Sequence, residues 1–263
     1  MKALMITGPN SNSGKTIISL GLIRALKKLG YNISPFKTGP DFVDTKYLSQ
    51  AANRPAGNLD LYLMGEEGIR QALAMDRGDL ALVEGAMGYF DGIHNSYENS
   101  SYHISKELDI PAILVYSPKG EMFSAVTKIK GMVDFKGSKI QGVILNKVSK
   151  GMYQLLKEQI ERHVGVKVLG YLPWIEEAEI KSEILGLELS KKEELLDTLA
   201  DKLSQTIFLK DLIKLAQDTE PASLNYPRKR DLKIALAYDK AFCFYYRENI
   251  RLLEEICQVK YFS

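Results

Sequence analysis

A turn whose residue types suit phosphate binding lies at residues 8–16, which read GPNSNSGKT. In such a turn, backbone N–H groups at the start of a helix point at an anion, and a lysine adds positive charge. Lys15 is expected to reach the β and γ phosphates of ATP, and the Thr16 hydroxyl is expected to ligate Mg²⁺. The residues predicted to contact the nucleotide phosphates here are Asn12, Ser13, Gly14, Lys15 and Thr16.

The spacing of this turn differs from the common phosphate-binding pattern. Five residues separate Gly8 from Gly14, where the usual pattern has four, and Pro9 stands where the first glycine belongs. The alternative is an accidental Gly-Lys-Thr in an ordinary turn. An apolar run before the turn and helical periodicity after it favour the nucleotide site.

Two clusters of charged residues follow later apolar runs, at residues 36–48 (FKTGPDFVDTKYL) and 84–92 (EGAMGYFDG). In an open parallel sheet, ligands bind beyond the carboxyl ends of the strands, so both clusters should converge on the phosphate turn. Mg²⁺ prefers hard oxygen ligands, which makes Glu84 and then Asp41 the candidates to join Thr16. Lys37 is expected beside the phosphates.

The remaining acids have no metal duty and are candidates for handling the substrate. Asp44 and Asp91 could orient an attacking amine, take its proton or hold the substrate, and Asp60 is a weaker substrate candidate. For each aspartate the alternative is a turn or helix cap. Asn146, which ends another apolar run, could pair with an adenine edge or act as a cap.

These residues must be positioned by a sheet, because short apolar runs alternate with helical patterns along the chain. The runs are continuously apolar, which is typical of parallel strands covered on both faces. The sequence therefore predicts a doubly wound α/β fold with a mostly parallel sheet. Strands are expected at residues 2–7, 31–36, 79–84, 110–116, 140–146 and 166–173.

The later part of the chain indicates two units. Residues 1–217 are predicted to form the nucleotide-binding domain, closed by two or three helices in 176–217. Residues 218–231 have the prolines and charges of a linker. Residues 232–263 are predicted to be the start of a second α/β domain, because one βα unit and a strand cannot bury a core alone.

Composition limits the partners. The net charge of +2 gives no indication of a nucleic-acid partner, and no apolar run reaches the roughly 20 residues of a membrane-spanning helix. The two cysteines, Cys243 and Cys257, have no disulfide or metal spacing, so a cytoplasmic location is expected.

The loop spacing resembles that of the dethiobiotin synthetase and cobyrinate amidase group, and Asn10 stands where partitioning ATPases carry an extra lysine. Over nearly the whole chain the motifs together resemble the cobyrinate a,c-diamide synthase family. The motifs that carry this resemblance are GPNSNSGKT, SPFKTGPDFVDTKYL, RPAGNLDLYLMGEEG, EGAMGYFDG, QGVILNKV, VLGYLP and IALAYDKAFCFYY.

The resemblance implies a P-loop ligase domain joined to a glutamine amidotransferase domain. It implies ATP- and Mg²⁺-dependent amidation of the a and c acetates of a corrinoid through an acyl phosphate, with Asp44 and Asp91 positioning substrate and ammonia. A sister branch amidates nickel-sirohydrochlorin. Two departures affect the substrate side: Glu183 and Ile184 replace an Arg-His pair, and another Arg-His after the ILN strand is absent.

Other functions stay open at this level. The chain could be a ligase for a different small acid, or an ATP-binding paralogue that transfers nothing. Ammonia could come from a separate glutaminase subunit, and a homodimer is compatible with the sequence. We expect ammonium salts, and not glutamine, to sustain the activity of this chain.

Overall fold

The computed structural model describes residues 1–175, 189–220, 222–224 and 226–263. Its main sheet has the strand order β3-β2-β4-β1-β5-β6-β7, in which all neighbours are parallel, and β8 pairs antiparallel with β1. The strands are β1 (Lys2–Thr7), β2 (Ile33–Thr38), β3 (Gly57–Leu59), β4 (Leu80–Glu84), β5 (Ala112–Tyr116), β6 (Ile140–Asn146), β7 (Lys167–Leu172) and β8 (Gln217–Asp218).

Helices connect these strands and cover both faces of the sheet. Those that the structure describes are α1 (Lys15–Lys28), α2 (Val43–Ala52), α3 (Leu61–Ala74), α4 (Ser101–Glu107), α5 (Phe123–Asp134), α6 (Lys150–His163), α7 (Leu189–Thr206), α8 (Leu209–Leu215) and α9 (Arg247–Ile256). No helix in the described ranges has the length and apolar character needed to cross a bilayer.

The sheet separates two apolar cores, which is why its strands are apolar on both faces. Leu4 and Ile6 of β1 pack into one core with α1 and α7, whereas Ala3 and Met5 pack into the other. Strands β2, β4 and β5 are buried along their whole length. The predicted doubly wound α/β fold with a mostly parallel sheet is confirmed.

The strand register brings the charged clusters together. Lys37, near the end of β2, is the neighbour of Glu84, the last residue of β4. On its other side, Glu84 is the neighbour of Ile6, one residue before β1 ends. Parallel pairing therefore places both charged side chains next to the turn that leaves β1.

Some predicted boundaries differ from the structure. Strand β2 lies at Ile33–Thr38, two residues later than expected, and the short strands β3 and β8 were not anticipated. Both are shorter than a strand that periodicity can reveal. Of the predicted closing segment, 189–206 and 209–215 are helical, whereas 176–188, with the Glu183–Ile184 departure, lies outside the described residues.

The end of the chain forms a small unit, here called the C-terminal unit, made of β9 (Lys233–Ala237), α9 and β10 (Gln258–Phe262). Its two strands pair with each other in parallel. Helix α9 packs on the segment that follows α3: Arg247 bonds Asp76 at 2.8 Å, and Arg251 donates to the Met75 carbonyl at 2.9 Å. The division at residues 218–231 stays a prediction.

Candidate functional site

The phosphate turn has the backbone expected of an anion cradle. It leaves β1 at Thr7, and α1 begins at Lys15, directly after Gly14. Gly14 has a φ of 94°, a left-handed conformation that glycine adopts without steric cost. The Lys15 side chain is 4% exposed, and its Nζ donates to the Asn10 carbonyl at 2.7 Å. The backbone of the turn therefore binds the side chain of its own lysine.

The Asn146 side chain forms a hydrogen bond with the backbone of this turn. Its Nδ2 donates to the Ser13 carbonyl at 2.9 Å, and the residue is 3% exposed. A Cβ placed on Gly14 would lie 2.0 Å from that same Nδ2. Of the two predicted roles, the contact seen is thus a cap on the loop backbone, and a contact with adenine through Asn146 stays a prediction.

Gly14→Ala should therefore damage the turn in two ways. The new methyl collides with the Asn146 amide, and a left-handed alanine costs about 1–2 kcal/mol. We expect ATP affinity to fall at least about 10-fold, since 1.4 kcal/mol is a factor of ten. Binding can be followed by the fluorescence of Trp174, the single tryptophan of the chain.

The matched control for this change is Gly151→Ala in α6, where a Cβ meets no atom of the described residues within 4 Å. Alanine is the better helix former, so this variant should keep ATP affinity and gain up to about 1 kcal/mol of stability. Equal ATP affinity of the Gly14→Ala variant and the unmodified chain would contradict the assignment of this turn to phosphate binding.

The charged side chains of β2, α2 and β4 meet beside the turn. Glu84 Oε1 accepts from the Thr16 hydroxyl at 2.7 Å and from Lys37 Nζ at 2.8 Å. Lys37 Nζ also donates to Asp44 Oδ2 at 2.6 Å and lies 3.7 Å from Asp41 Oδ2. Burial alone would lower the pKa of Lys37, but the Glu84 and Asp44 carboxylates outweigh it and raise that pKa. Lys37 is therefore a charged link between the acids, and its predicted contact with phosphate is untested.

The donor set beside Thr16 fits Mg²⁺. Glu84 is fully buried, and among the described residues its Oε2 has no hydrogen-bond partner, nor has the buried Ser13 hydroxyl. A buried carboxylate oxygen is costly without a partner, and a metal ion would provide one. Within the described ranges no three His, Cys, Asp or Glu side chains form a metal cluster. Mg²⁺ does not need one, since it takes one or two carboxylates plus phosphates and waters.

Asp41 differs from the other metal candidates in its contacts. Its Oδ1 accepts from the N–H groups of Val43 and Asp44 at 3.0 and 2.9 Å, which holds the start of α2. Its Oδ2 reaches the Thr16–Glu84 pair through Lys37. Asp41 as a metal ligand therefore stays a prediction.

Asp91 and Asp60 lie in contrasting environments. Asp91 is exposed, and its Oδ2 accepts from the Gly88 N–H at 3.0 Å. Its loop touches the phosphate turn, because Tyr89 N donates to the Gly8 carbonyl at 2.8 Å. Asp60 is 3% exposed; it caps α3 through Leu63 N and accepts the Tyr246 hydroxyl at 2.6 Å. Asp60 as a substrate contact stays a prediction.

An open cavity of about 840 Å³ adjoins the phosphate turn on the side of β5, β6 and β7. Trp174 is 54% exposed there, and Lys147 Nζ lies 4.3 Å from the centre of its ring. The cavity is lined by Pro9, Asn10, Asn12, Ser13, Phe90, Tyr116, Ser117, Pro118, Lys119, Glu121, Lys128, Gly131, Met132, Phe135, Lys147 and Trp174.

Sequence reasoning missed Asn58 and Tyr246. Asn58 Nδ2 donates to the carbonyls of Gly39 and Asp41 at 2.9 and 3.1 Å, and Tyr246 bonds Asp60. Both residues form hydrogen bonds with residues that are 17 or more positions away along the chain. No spacing rule relates such positions, so no signal in the sequence could have found them.

The phosphate-binding turn lies between the first strand and the first helix, and its Thr16 hydroxyl donates to Glu84, the last residue of β4. This arrangement defines a P-loop nucleotide-binding protein. The chain belongs to the CobQ/CobB/MinD/ParA nucleotide binding domain family, which it matches over residues 4–186. It is 41% identical over 268 residues to cobyrinate a,c-diamide synthase of Clostridium tetani and 40% identical over 271 residues to that of Clostridium acetobutylicum.

These matches cover 100% of this chain but 61% and 62% of those relatives. The chain thus spans about three fifths of the length of the curated relatives it matches. A solved structure, the MinD cell division protein of Aquifex aeolicus, is 15% identical with a TM-score of 0.48, covering 78% of this chain and 97% of that one.

Proposed function

We propose that this chain is the ATP-dependent synthetase part of an enzyme that amidates carboxylate side chains of a tetrapyrrole. The observation that carries the proposal is the meeting of Thr16, Lys37 and Glu84 beside the phosphate turn. That arrangement is suited to handing a phosphoryl group to an acid. The names of the relatives at 41% and 40% identity support a corrinoid as the acid.

The proposed reaction has two steps. A carboxylate oxygen of the substrate attacks the γ phosphorus of ATP, and the bond from that phosphorus to the β-phosphate oxygen breaks. ADP departs, and the substrate is now an acyl phosphate. Ammonia then attacks the acyl carbon, inorganic phosphate leaves, and the nitrogen loses a proton to give the amide. Lys15 would donate to the transferring phosphoryl oxygens from the turn where it is already held.

Thr16 and Glu84 would hold Mg²⁺, with Asp41 as the second carboxylate. The ion supplies neutralising charge for the phosphates. Lys37 would hold the Glu84 and Asp44 carboxylates at this edge, because its Nζ donates a hydrogen bond to each of them. Asp44 and Asp91 would orient ammonia and the substrate carboxylate. Trp174 would offer its exposed ring to the nucleotide base.

We propose that ammonia reaches this site from glutamine, through a part of the enzyme that the matched relatives have in their additional length. The C-terminal unit would be the beginning of that part, or a separate glutaminase subunit would complete it. Ammonium salts should then replace glutamine for this chain.

The test is phosphate release from ATP with ammonium chloride and either cobyrinate or nickel-sirohydrochlorin as the acid. We expect release that needs both the acid and ammonium, with an amide product identified by mass. Glutamine in place of ammonium should give none. Tight ATP binding without turnover on either acid would contradict the ligase function and favour a nucleotide-binding protein that transfers nothing.

A further inference from the structure

Asp41 and Asp44 lie in residues 39–44, here called the acid turn, which comprise the loop after β2 and the first two residues of α2. Asp41 N donates to the Gly39 carbonyl at 3.0 Å, and Asp41 Oδ1 accepts from two N–H groups further along. On one side of this turn, Asp44 pairs with Lys37 at 2.6 Å. The acid turn therefore sets where both carboxylates stand relative to Glu84.

The other side of the acid turn is held by the C-terminal unit. The ring of Phe42, between the two aspartates, stacks on Tyr246 with centroids 5.2 Å apart and planes at 24°. Phe244 contacts the same ring at 5.6 Å. Tyr246 is itself fixed, because it is 6% exposed and its hydroxyl donates to Asp60 at 2.6 Å.

A second link reaches the same turn through Asn58. Its side chain donates to the carbonyls of Gly39 and Asp41, and its backbone N lies 3.4 Å from Oε2 of Glu248. Glu248 is 6% exposed and pairs with Arg247 at 3.0 Å. Tyr246, which directly precedes α9, therefore contacts the acid turn through Phe42, and Glu248, in the first turn of α9, reaches it through Asn58.

We propose that Tyr246 is a positioning residue, which acts through Phe42 to hold Asp41 and Asp44 in register with Lys37 and Glu84. By this route the C-terminal unit controls the geometry of the acids while leaving the phosphate turn untouched. The inference rests on the proposed function for the roles of Asp41 and Asp44. The positioning of the acid turn by Tyr246 is a property of the fold and can be measured separately.

The first test is amide hydrogen exchange, which reports local opening of the chain. Tyr246→Leu should speed exchange in the acid turn by at least about 10-fold, since it removes one aromatic stack and one charge-assisted hydrogen bond. Exchange in residues 8–16 should stay unchanged. Tyr246→Phe keeps the ring and should give a smaller effect, as should any variant that retains the stack.

The matched control is Arg251→Ala, which removes a contact of α9 with the Met75 carbonyl and leaves the acid turn alone. This variant weakens the attachment of the C-terminal unit at another point. It therefore distinguishes a specific effect of Tyr246 from the effect of weakening any contact of that unit. Acid-turn exchange that rises as much in Arg251→Ala as in Tyr246→Leu would overturn the proposal. So would unchanged exchange in Tyr246→Leu, or an equal rise throughout the chain.

The second test is kinetic. Tyr246→Leu should lower kcat for ammonium-dependent amidation by about 10-fold, while ATP affinity measured without Mg²⁺ stays the same, because the acids are displaced and the phosphate turn is not. Phe42→Leu should have a similar effect, and the double variant should add little, since both changes remove one contact. Fully additive effects would contradict a shared contact. If the unmodified chain shows no turnover, the proposed function fails, and the exchange experiment still decides this inference.

Discussion

Lys15→Ala should lower acid- and ammonium-dependent phosphate release by about 10³-fold, the upper end of the range for removing one donor that stabilises developing negative charge. Lys15 is 4% exposed and held by the Asn10 carbonyl, so it is already directed into the turn and needs little reorganisation. ATP affinity should fall less, by about 10- to 100-fold, since a hydrogen bond to a charged group is worth about 1.5–3 kcal/mol.

The control for this prediction is Lys150→Ala, which removes an exposed lysine at the first position of α6. It should leave turnover and affinity unchanged. Trp174 fluorescence gives the affinity and phosphate release gives the rate. If turnover survives in Lys15→Ala at a tenth or more of its original rate, Lys15 does not serve the transferred phosphoryl group.

Glu84→Gln should have the second large effect, on magnesium. The buried Glu84 carboxylate accepts from Thr16 and Lys37 with one oxygen, and its other oxygen has no hydrogen-bond partner in the part of the chain that the structure describes. Glutamine keeps the shape but removes the charge. The Mg²⁺ concentration needed for half-maximal turnover should therefore rise at least about 10-fold.

The same substitution should also destabilise the fold, because Lys37 is buried and loses one of its charged partners. We expect a loss of about 2 kcal/mol in the free energy of unfolding, since Asp44 still pairs with Lys37. Urea unfolding of Glu84→Gln beside Glu158→Gln, a change on the exposed face of α6, measures this loss. An unchanged magnesium requirement would contradict the assignment of Glu84 to the metal site.

The chemistry-bearing residues could be located from the sequence because their signals are local. The turn at residues 8–16 is recognised from glycine, lysine and threonine within a few positions, and continuous apolar runs identified β1 and β6 with their observed bounds. Charged residues after such runs belong at one edge of a parallel sheet, and the register of β2, β4 and β1 agrees with that.

What each side chain binds was decided by the tertiary structure. Asn146 bonds Ser13, a residue 133 positions away, and Asp60 accepts a hydroxyl from Tyr246, 186 positions away. Sequence spacing holds no information on such pairs, because they depend on how strands and helices stack and on which polar groups burial leaves to be satisfied. The sequence by itself determined that a phosphate turn and a set of carboxylates exist at strand ends. Only the packed fold decided that Glu84 meets Thr16 and Lys37, while Asp60 is buried against the C-terminal unit.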